Sequence, residues 1–444
     1  LNPLGRLSRL FRPGLRRNIE AGGGGRRWEG GPWLAAPQAA ALAARGPARA
    51  RAAALSVNAP YGARIVEAWA SALVGRGWQA RSRHPDQATA RRLNAAFEAL
   101  TVPLLLPLAR ALVRDGEAFV RLTVDEAAEL HPVLLPADQV DPSLSRDLGR
   151  GAGARIVAGI EFDASDRPAA YHVLREAPGA PFAAAFGEPV RVPAADMLHV
   201  FDRAFPGQVR GLSWLAPVLL KLRDRDEAAD ALLMQLKVAS LMTGFVRDAE
   251  GGAAGFEGAG AGSAIDVSLE PGAMRILPPG ADVSFTSPGQ GLAQAVDFLR
   301  AQDREIAAGV GLTFEALTGD LGEANYSSAR VGLLEFRRRA EMLQRTLIEA
   351  QLLRPLWRRW IDVQILAGLV PAAEAADHQA VAFVPPGWTW VDPRNEVEAE
   401  VAAIAAGLKS REEVVAGRGR DIDELDEEIA RDAARARASE EVPA

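Results

Sequence analysis

Between residues 309 and 339 the chain must stop one helix, cross a short loop and start a longer helix. Leu292, Val296, Leu299 and Ile306 share one face of the first helix. Gly309-Val310-Gly311 ends it, because glycine readily adopts the left-handed conformation found at helix C-termini. A short apolar turn follows, with Leu312, Phe314 and Leu317. Residues 318–323 are then polar and glycine-bearing, and Asn325-Tyr326-Ser327-Ser328-Ala329-Arg330 opens the longest helical pattern, residues 325–368. Phe336, Ala340, Leu343 and Leu347 keep one register along it. Pro355 is expected to kink or interrupt it, since proline removes a backbone donor and clashes with the preceding turn. Trp357 and Trp360 then fall into the core.

The rest of the chain reads as mixed α and β. Residues 1–54, rich in Arg, Gly and Ala, suggest a basic and mostly unstructured arm. Residues 55–214 suggest an α/β unit. There Ile65, Val66, Trp69 and Leu73 recur at helical spacing, as do Leu93, Phe97 and Leu100, and residues 104–113 read as a buried helix after Pro103. Strands are expected over 118–123, 156–162, 170–174 and 190–192, with a turn at 163–168. Residues 215–246 read as one long helix, charged in its first half and apolar in its second, where Leu232 and Leu236 lie. Residues 247–288 read as loop with short strands at 265–269, 274–277 and 283–286. Residues 289–310 form the second helix, 311–328 the loop, and 329–391 the long helix with a return strand. Residues 392–444 read as helical, with Ser410 capping a helix that Gly417 ends and Asp421 capping the last.

Charge is unevenly placed on a chain of net −6. Residues 1–51 hold ten arginines and two glutamates, whereas residues 392–444 hold fifteen acidic and eight basic residues. The absence of cysteine excludes disulfides and thiolate metal sites. No run reaches the ~18 uninterrupted apolar residues of a membrane span. The nearest, 231–246, is broken by Gln235 and Lys237. The chain begins at Leu1 rather than Met, as a processed chain or one lacking its start would.

Catalytic patterns are missing. The five histidines, His84, His131, His172, His199 and His378, show no metalloprotease spacing, and there is no Gly-x-Ser-x-Gly elbow. Residues 251–264 are glycine-rich, but they follow a helix and no Gly-Lys-Ser/Thr closes them, so they read as a flexible excursion rather than a phosphate cradle. His199, in a strand-like segment, reads as packed or hydrogen-bonded. Glu315, Asp320 and Glu323 leave one alternative, a metal-dependent enzyme acting on nucleic acid. A channel-less capsid adaptor is another.

Four segments in order resemble the lambda-like family of bacteriophage portal proteins: residues 58–77, 206–246 and 269–280, and the 309–339 run with its Asn-Tyr-Ser-Ser-Ala-Arg. The likeness extends over roughly residues 55–435. It implies an α+β portal fold with a mixed α/β wing, a helical stem, a small β-rich clip, a long kinked tunnel helix and a helical crown, closed into a ring of twelve. The implied divisions are arm 1–54, wing 55–214, stem helices 215–246 and 289–310, clip 247–288, tunnel loop 311–328, long wing helix and return strand 329–391, and crown 392–444. Function is then a conduit for double-stranded DNA at one capsid vertex, serving packaging and ejection. Its partners would be the terminase large subunit, a head–tail adaptor, and the major capsid protein or scaffold. It would take no cofactor, no metal and no membrane, and would assemble in the host cytoplasm for the virion. The resemblance places Thr318, Gly319, Asp320, Leu321, Gly322, Glu323, Ala324, Asn325 and Tyr326 nearest the DNA. Arg330, Arg337, Arg338 and Arg339 would meet DNA or a neighbouring subunit. Ile265, Val267, Leu269, Met274, Ile276 and Leu277 would form the docking clip. Leu232, Leu236, Leu292, Val296, Leu299 and Ile306 would pack the stem.

Overall fold

Alanine has the strongest intrinsic helix preference, and an alanine-rich run forms the first helix, α1 (Pro37–Asn58). This computed structural model describes residues 36–149, 153–179, 188–240, 244–247, 274–277, 292–322, 326–389 and 392–440. Helix α1 corrects the expected arm over residues 37–54. Ala52 is buried, and Arg45 is held by a buried carboxylate, Glu117, at 2.9 Å. The rest of that arm lies outside the described residues. Pro60 starts α2 (Pro60–Val74), whose Ile65, Val66, Trp69 and Leu73 are all buried, as their spacing predicts.

Strand β1 (Gln79–Ser82) leads to α3 (Gln87–Asp115), capped by Asp86, which accepts from the Thr89 amide at 2.8 Å. This one helix of 29 residues replaces the separate helix expected after Pro103. Its buried residues Leu93, Phe97, Leu104, Leu108 and Leu112 continue on both sides of Pro103 and Pro107, so packing outweighs the local cost of proline. Among the described residues α3 alone is long and apolar enough to cross a membrane. Its Leu93, Leu104, Leu105, Leu108 and Leu112 belong to the main core.

Two antiparallel sheets follow. They are built from β2 (Glu117–Val124), β3 (Leu130–Leu135), β4 (Arg146–Asp147), β5 (Arg155–Val157), β6 (Ile160–Phe162), β7 (Pro168–Val173), β8 (Val190–Pro193) and β9 (Met197–Phe201). The orders are β3-β2-β9 and β4-β5-β6-β7-β8. The single strand expected over 156–162 is instead a hairpin. Ala158 and Gly159 take φ of 48° and 80°, and two positive φ values in sequence suit the tight turn that joins twisted strands. The expected 163–168 turn is present, with Asp163 accepting from the Ser165 and Arg167 amides.

A 3-10 turn (Ala216–Val218) feeds α4 (Leu219–Ser240). The helix stops there rather than running to residue 246. Gly244, Phe245 and Val246 belong to β10 (Gly244–Arg247), which pairs in parallel with β11 (Met274–Leu277). Aromatic and β-branched residues favour the extended form. The expected strands at 265–269 and 283–286 lie outside the described residues. Next come α5 (Leu292–Val310), α6 (Phe314–Thr318) and α7 (Tyr326–Leu343). A π-helical segment, Gln344–Leu353, joins α7 to α8 (Arg354–Leu366). Pro355 therefore does not break the helix; the α pattern is interrupted ahead of it by widened turns. Helix α9 (Ala375–Gln379) and β12 (Val381–Val384) follow, and β12 pairs with β1. The chain closes with α10 (Pro393–Ala405), α11 (Arg411–Ala416) and α12 (Ile422–Glu440). Ser410 and Asp421 cap α11 and α12 as expected.

One core joins α2, α3, the end of α5, α7, the π segment and α8, with Trp69 and Trp357 fully buried. A smaller core lies between the sheets, around Phe119, Ile160 and Tyr171. Mixed helix and strand is thus the fold class, as expected.

Candidate functional site

The apolar face of α5 carries an acid. Leu299, Asp303, Ile306 and Val310 are three or four residues apart and so share one helical face. Asp303 is nonetheless buried. Tyr61 donates to it at 3.1 Å and Arg225 at 3.0 Å, and Arg225 also donates to Tyr61. One carboxylate thereby ties α2, α4 and α5 together. Burial, and then Asp303, push the Tyr61 phenol up. Sequence reasoning missed this hub, although an acid inside an apolar stripe was the signal for it.

The end of α5 is seated tightly. Trp69 Nε1 donates to the Val310 carbonyl at 2.9 Å, and Arg64 donates to the Ala316 carbonyl at 2.8 Å. A Cβ at Gly309 would lie 2.5 Å from Val218 Cγ1, so a side chain there meets the 3-10 turn. Gly311, with φ 71°, releases the chain into the loop. Thr313 then caps α6 by accepting from the Ala316 amide at 3.1 Å, and Gly319 ends it at φ 74°.

The expected loop residues split into three groups. Thr318 donates to the Phe314 carbonyl at 2.8 Å and accepts from the Asp320 amide at 3.1 Å. Asp320 accepts from the Gly322 amide at 2.9 Å and from Arg300 Nη2 on α5 at 3.0 Å. The Gly322 amide, then Arg300, hold the Asp320 carboxyl below its usual value. Leu321 and Gly322 are exposed, and Tyr326 opens α7. Glu323, Ala324 and Asn325 lie outside the described residues. Of the three carboxylates weighed as metal ligands, Asp320 is thus committed to Arg300 and a backbone amide.

The arginines also divide. Arg337 lies over Trp388 at 5.4 Å and donates to the Thr389 carbonyl at 2.9 Å. Arg339 lies over Trp69 at 5.6 Å, beside Gly311. Both are used within the subunit. Arg338 is exposed and Arg330 half-buried, and neither makes a hydrogen bond or ion pair among the described residues.

This geometry accompanies a family match. The family described as phage portal protein, lambda family, matches residues 24–344. The chain belongs to that family. A curated relative, the "Probable portal protein" of Halomonas phage phiHAP-1, is 29% identical over 331 residues, or 72% of this chain. The portal chain covers 63% of that relative's length. Among solved structures, the neck of a native gene transfer agent particle computed with C12 symmetry is similar at 17% identity and TM-score 0.44, over 81% of this chain and 89% of that one. An HK97-family portal protein from Corynebacterium diphtheriae is 12% identical with TM-score 0.32, over 79% and 98%.

Within the portal chain, the helical-pair residues are placed unequally. Ile306 is fully buried, and Leu232 and Leu299 are half-buried. Leu236 and Val296 are 42% and 50% exposed. Met234 and Phe298, which the sequence reading passed over, are 60% and 57% exposed. The Leu292 side chain lies outside the description. Met274, Ile276 and Leu277 sit on β11, whereas Ile265, Val267 and Leu269 are not among the described residues.

Proposed function

We propose that this portal protein closes into a ring, with twelve subunits as the family resemblance implies, and conducts double-stranded DNA into and out of a virus head or gene transfer agent particle. The observation that carries the reading is the pairing of α4 with α5. Both helices are rooted by Asp303, leave apolar residues uncovered, and enclose a β10–β11 pair in the connection between them. Helices of this kind bury their faces against neighbours, and identical subunits related by rotation supply such neighbours. In this reading α4 and α5 are the stem, β10–β11 part of the clip, and α10–α12 the crown.

The loop from Thr318 to Tyr326 then lines the channel. Its one described acid, Asp320, is braced against the stem by Arg300, which couples loop position to stem position. Sliding DNA tolerates no tight grip, because each neutralised phosphate deepens a salt-dependent trap. Arg337 and Arg339 are withheld by aromatic partners, which leaves Arg330 and Arg338 for a neighbouring subunit or the phosphates. The clip would dock the terminase large subunit and the head–tail adaptor in turn. The wing would meet the capsid protein or scaffold at one vertex, after assembly in the host cytoplasm.

Negative-stain electron microscopy with particle mass measurement tests this. Rings with a central hole and a mass near twelve subunits are expected. A monodisperse monomer or dimer, persisting with capsid or scaffold partners added, would refute it.

A further inference from the structure

We propose a divalent transition-metal site, of the zinc class, formed by His84, Glu374 and His378. One ligand atom from each lies within 4.8 Å of the others. Two imidazoles and one carboxylate are the donor set that suits zinc and its neighbours rather than calcium or magnesium, which prefer all-oxygen shells. A water would complete a four-coordinate ion.

The ligands come from well-fixed elements. Glu374 ends a 3-10 turn (Ala372–Glu374) and His378 lies four residues on, in α9, so the two share a helical face. His84 follows β1, and the β1–β12 ladder brings it alongside: Ser82 pairs with Val381, and the Arg83 amide donates to the Ala380 carbonyl at 2.8 Å. The two rings meet edge to face, with centroids 4.6 Å apart. The buried Trp357 donates to the His378 carbonyl at 3.0 Å, which pins α9 to the core.

Proton placement agrees with ligation. His378 Nδ1 lies 3.0 Å from the Glu374 carbonyl, which only accepts, so Nδ1 carries the proton and Nε2 keeps its lone pair. That backbone bond is the usual second partner of a metal-bound histidine. His84 Nδ1 has both the Asp86 amide at 3.1 Å and the Asp86 carbonyl at 3.3 Å. Either tautomer is therefore served locally, including the one that frees Nε2. The Glu374 carboxylate makes no hydrogen bond or ion pair among the described residues, although two imidazoles lie within reach. The second histidine cluster is weaker. Asp125, Glu129 and His131 are all exposed, and Asp125 is already occupied by the Ala127 and Glu129 amides and by His131.

An ion here would clip the 3-10 turn and α9 to the start of α3. It would lie beside a polar cleft of about 550 Å³ that His84 lines together with Arg81 and the acidic residues of α11 and α12. The metal would thus stiffen the base on which the last helices rest.

Cobalt(II) is the probe, titrated into the untagged full chain and followed by visible absorption and calorimetry. Its five histidines, His84, His131, His172, His199 and His378, all lie among the described residues, so no other segment supplies an imidazole. One ion per chain is expected, displaced by zinc, with a zinc-dependent rise in melting temperature. Glu374→Gln and His84→Gln should weaken binding roughly tenfold or more, and His131→Gln should leave it unchanged. Glu374 is exposed and His84 half-buried, whereas His378 is buried, so the first two are the positions changed; both variants should fold, and circular dichroism checks this. The proposal is overturned by the absence of saturable binding, by wild-type affinity in Glu374→Gln and His84→Gln, or by loss in His131→Gln alone.

Discussion

Glu117 sees no solvent, yet it accepts from Arg45 at 2.9 Å, Arg210 at 3.0 Å, His199 at 3.0 Å and the Gly211 amide at 2.8 Å. Burial alone would raise its carboxyl; Arg210, the His199 hydrogen bond and Arg45 outweigh that and hold it well below the usual value. Burial lowers the His199 imidazole, despite Glu117 beside it. Both groups have folded pKa values depressed below the unfolded ones. Each therefore contributes stability above its unfolded value and loses it as pH falls through the folded one. The urea midpoint should drop as pH falls below the unfolded histidine value of 6.5, and His199→Gln should flatten the first part of that fall. Glu117→Gln should cost about 3–5 kcal/mol, since it leaves the buried Arg210 guanidinium without its anion and Arg45 with only Asp138, 3.7 Å away. A Gln variant with the wild-type urea midpoint would show the network to be dispensable. His199 itself was readable as a packed, hydrogen-bonded residue. Its carboxylate partner was not, because Glu117 opens a strand far away in sequence and nothing local marks it as buried.

At the scale of elements, the seat of α5 on the 3-10 turn sets two effects against each other. Alanine at Gly309 would gain about 1 kcal/mol of helix preference. Its Cβ would also sit 2.5 Å from Val218 Cγ1, and overpacking of that kind costs about 1–3 kcal/mol. Gly309→Ala should therefore be neutral to destabilising in the wild-type background. In a Val218→Ala background the clash is gone, and the same change should stabilise. Thermal melts of the two pairs decide the matter, and equal effects in both backgrounds would contradict the packing account. Periodicity made α2, α5 and the long α7–α8 run legible, because each carries an apolar stripe, buried along α2 but on α5 only from Asp303 to Val310. It failed where a local rule met a tertiary one. Leu104 and Leu108 carry α3 through its prolines, Ala158 turns a strand into a hairpin, and the 241–246 stretch, apolar enough for a helix, ends instead in a strand paired with distant Met274–Leu277. The loop's position could be read from its glycines. Its brace could not, since Arg300 and Asp320 lie too far apart for any helical spacing to link them.

For the whole molecule, the decisive quantity is the apolar surface that one subunit leaves uncovered. Leu233, Met234 and Leu236 on α4, and Val296 and Phe298 on α5, are each at least 42% exposed, on helices whose roots are anchored by Asp303 and by Lys221 with Glu305. Single exposed apolar residues are ordinary on any protein surface; several on two paired helices are what a neighbouring subunit would cover. If that contact is the next subunit of a ring, a charge placed there should spare the subunit and stop the assembly. Met234→Glu with Phe298→Glu lies on exposed positions, so the monomer should keep its stability to within about 0.5 kcal/mol per change. Twelve copies would bring twelve sets of buried carboxylates into the ring interfaces, each without a designed partner, and rings should give way to monomers in mass measurement. An uncharged control, Met234→Leu with Phe298→Leu, should still close. Rings that survive both glutamates would move the subunit contact off α4 and α5, and with it the argument that these helices are the stem of the channel.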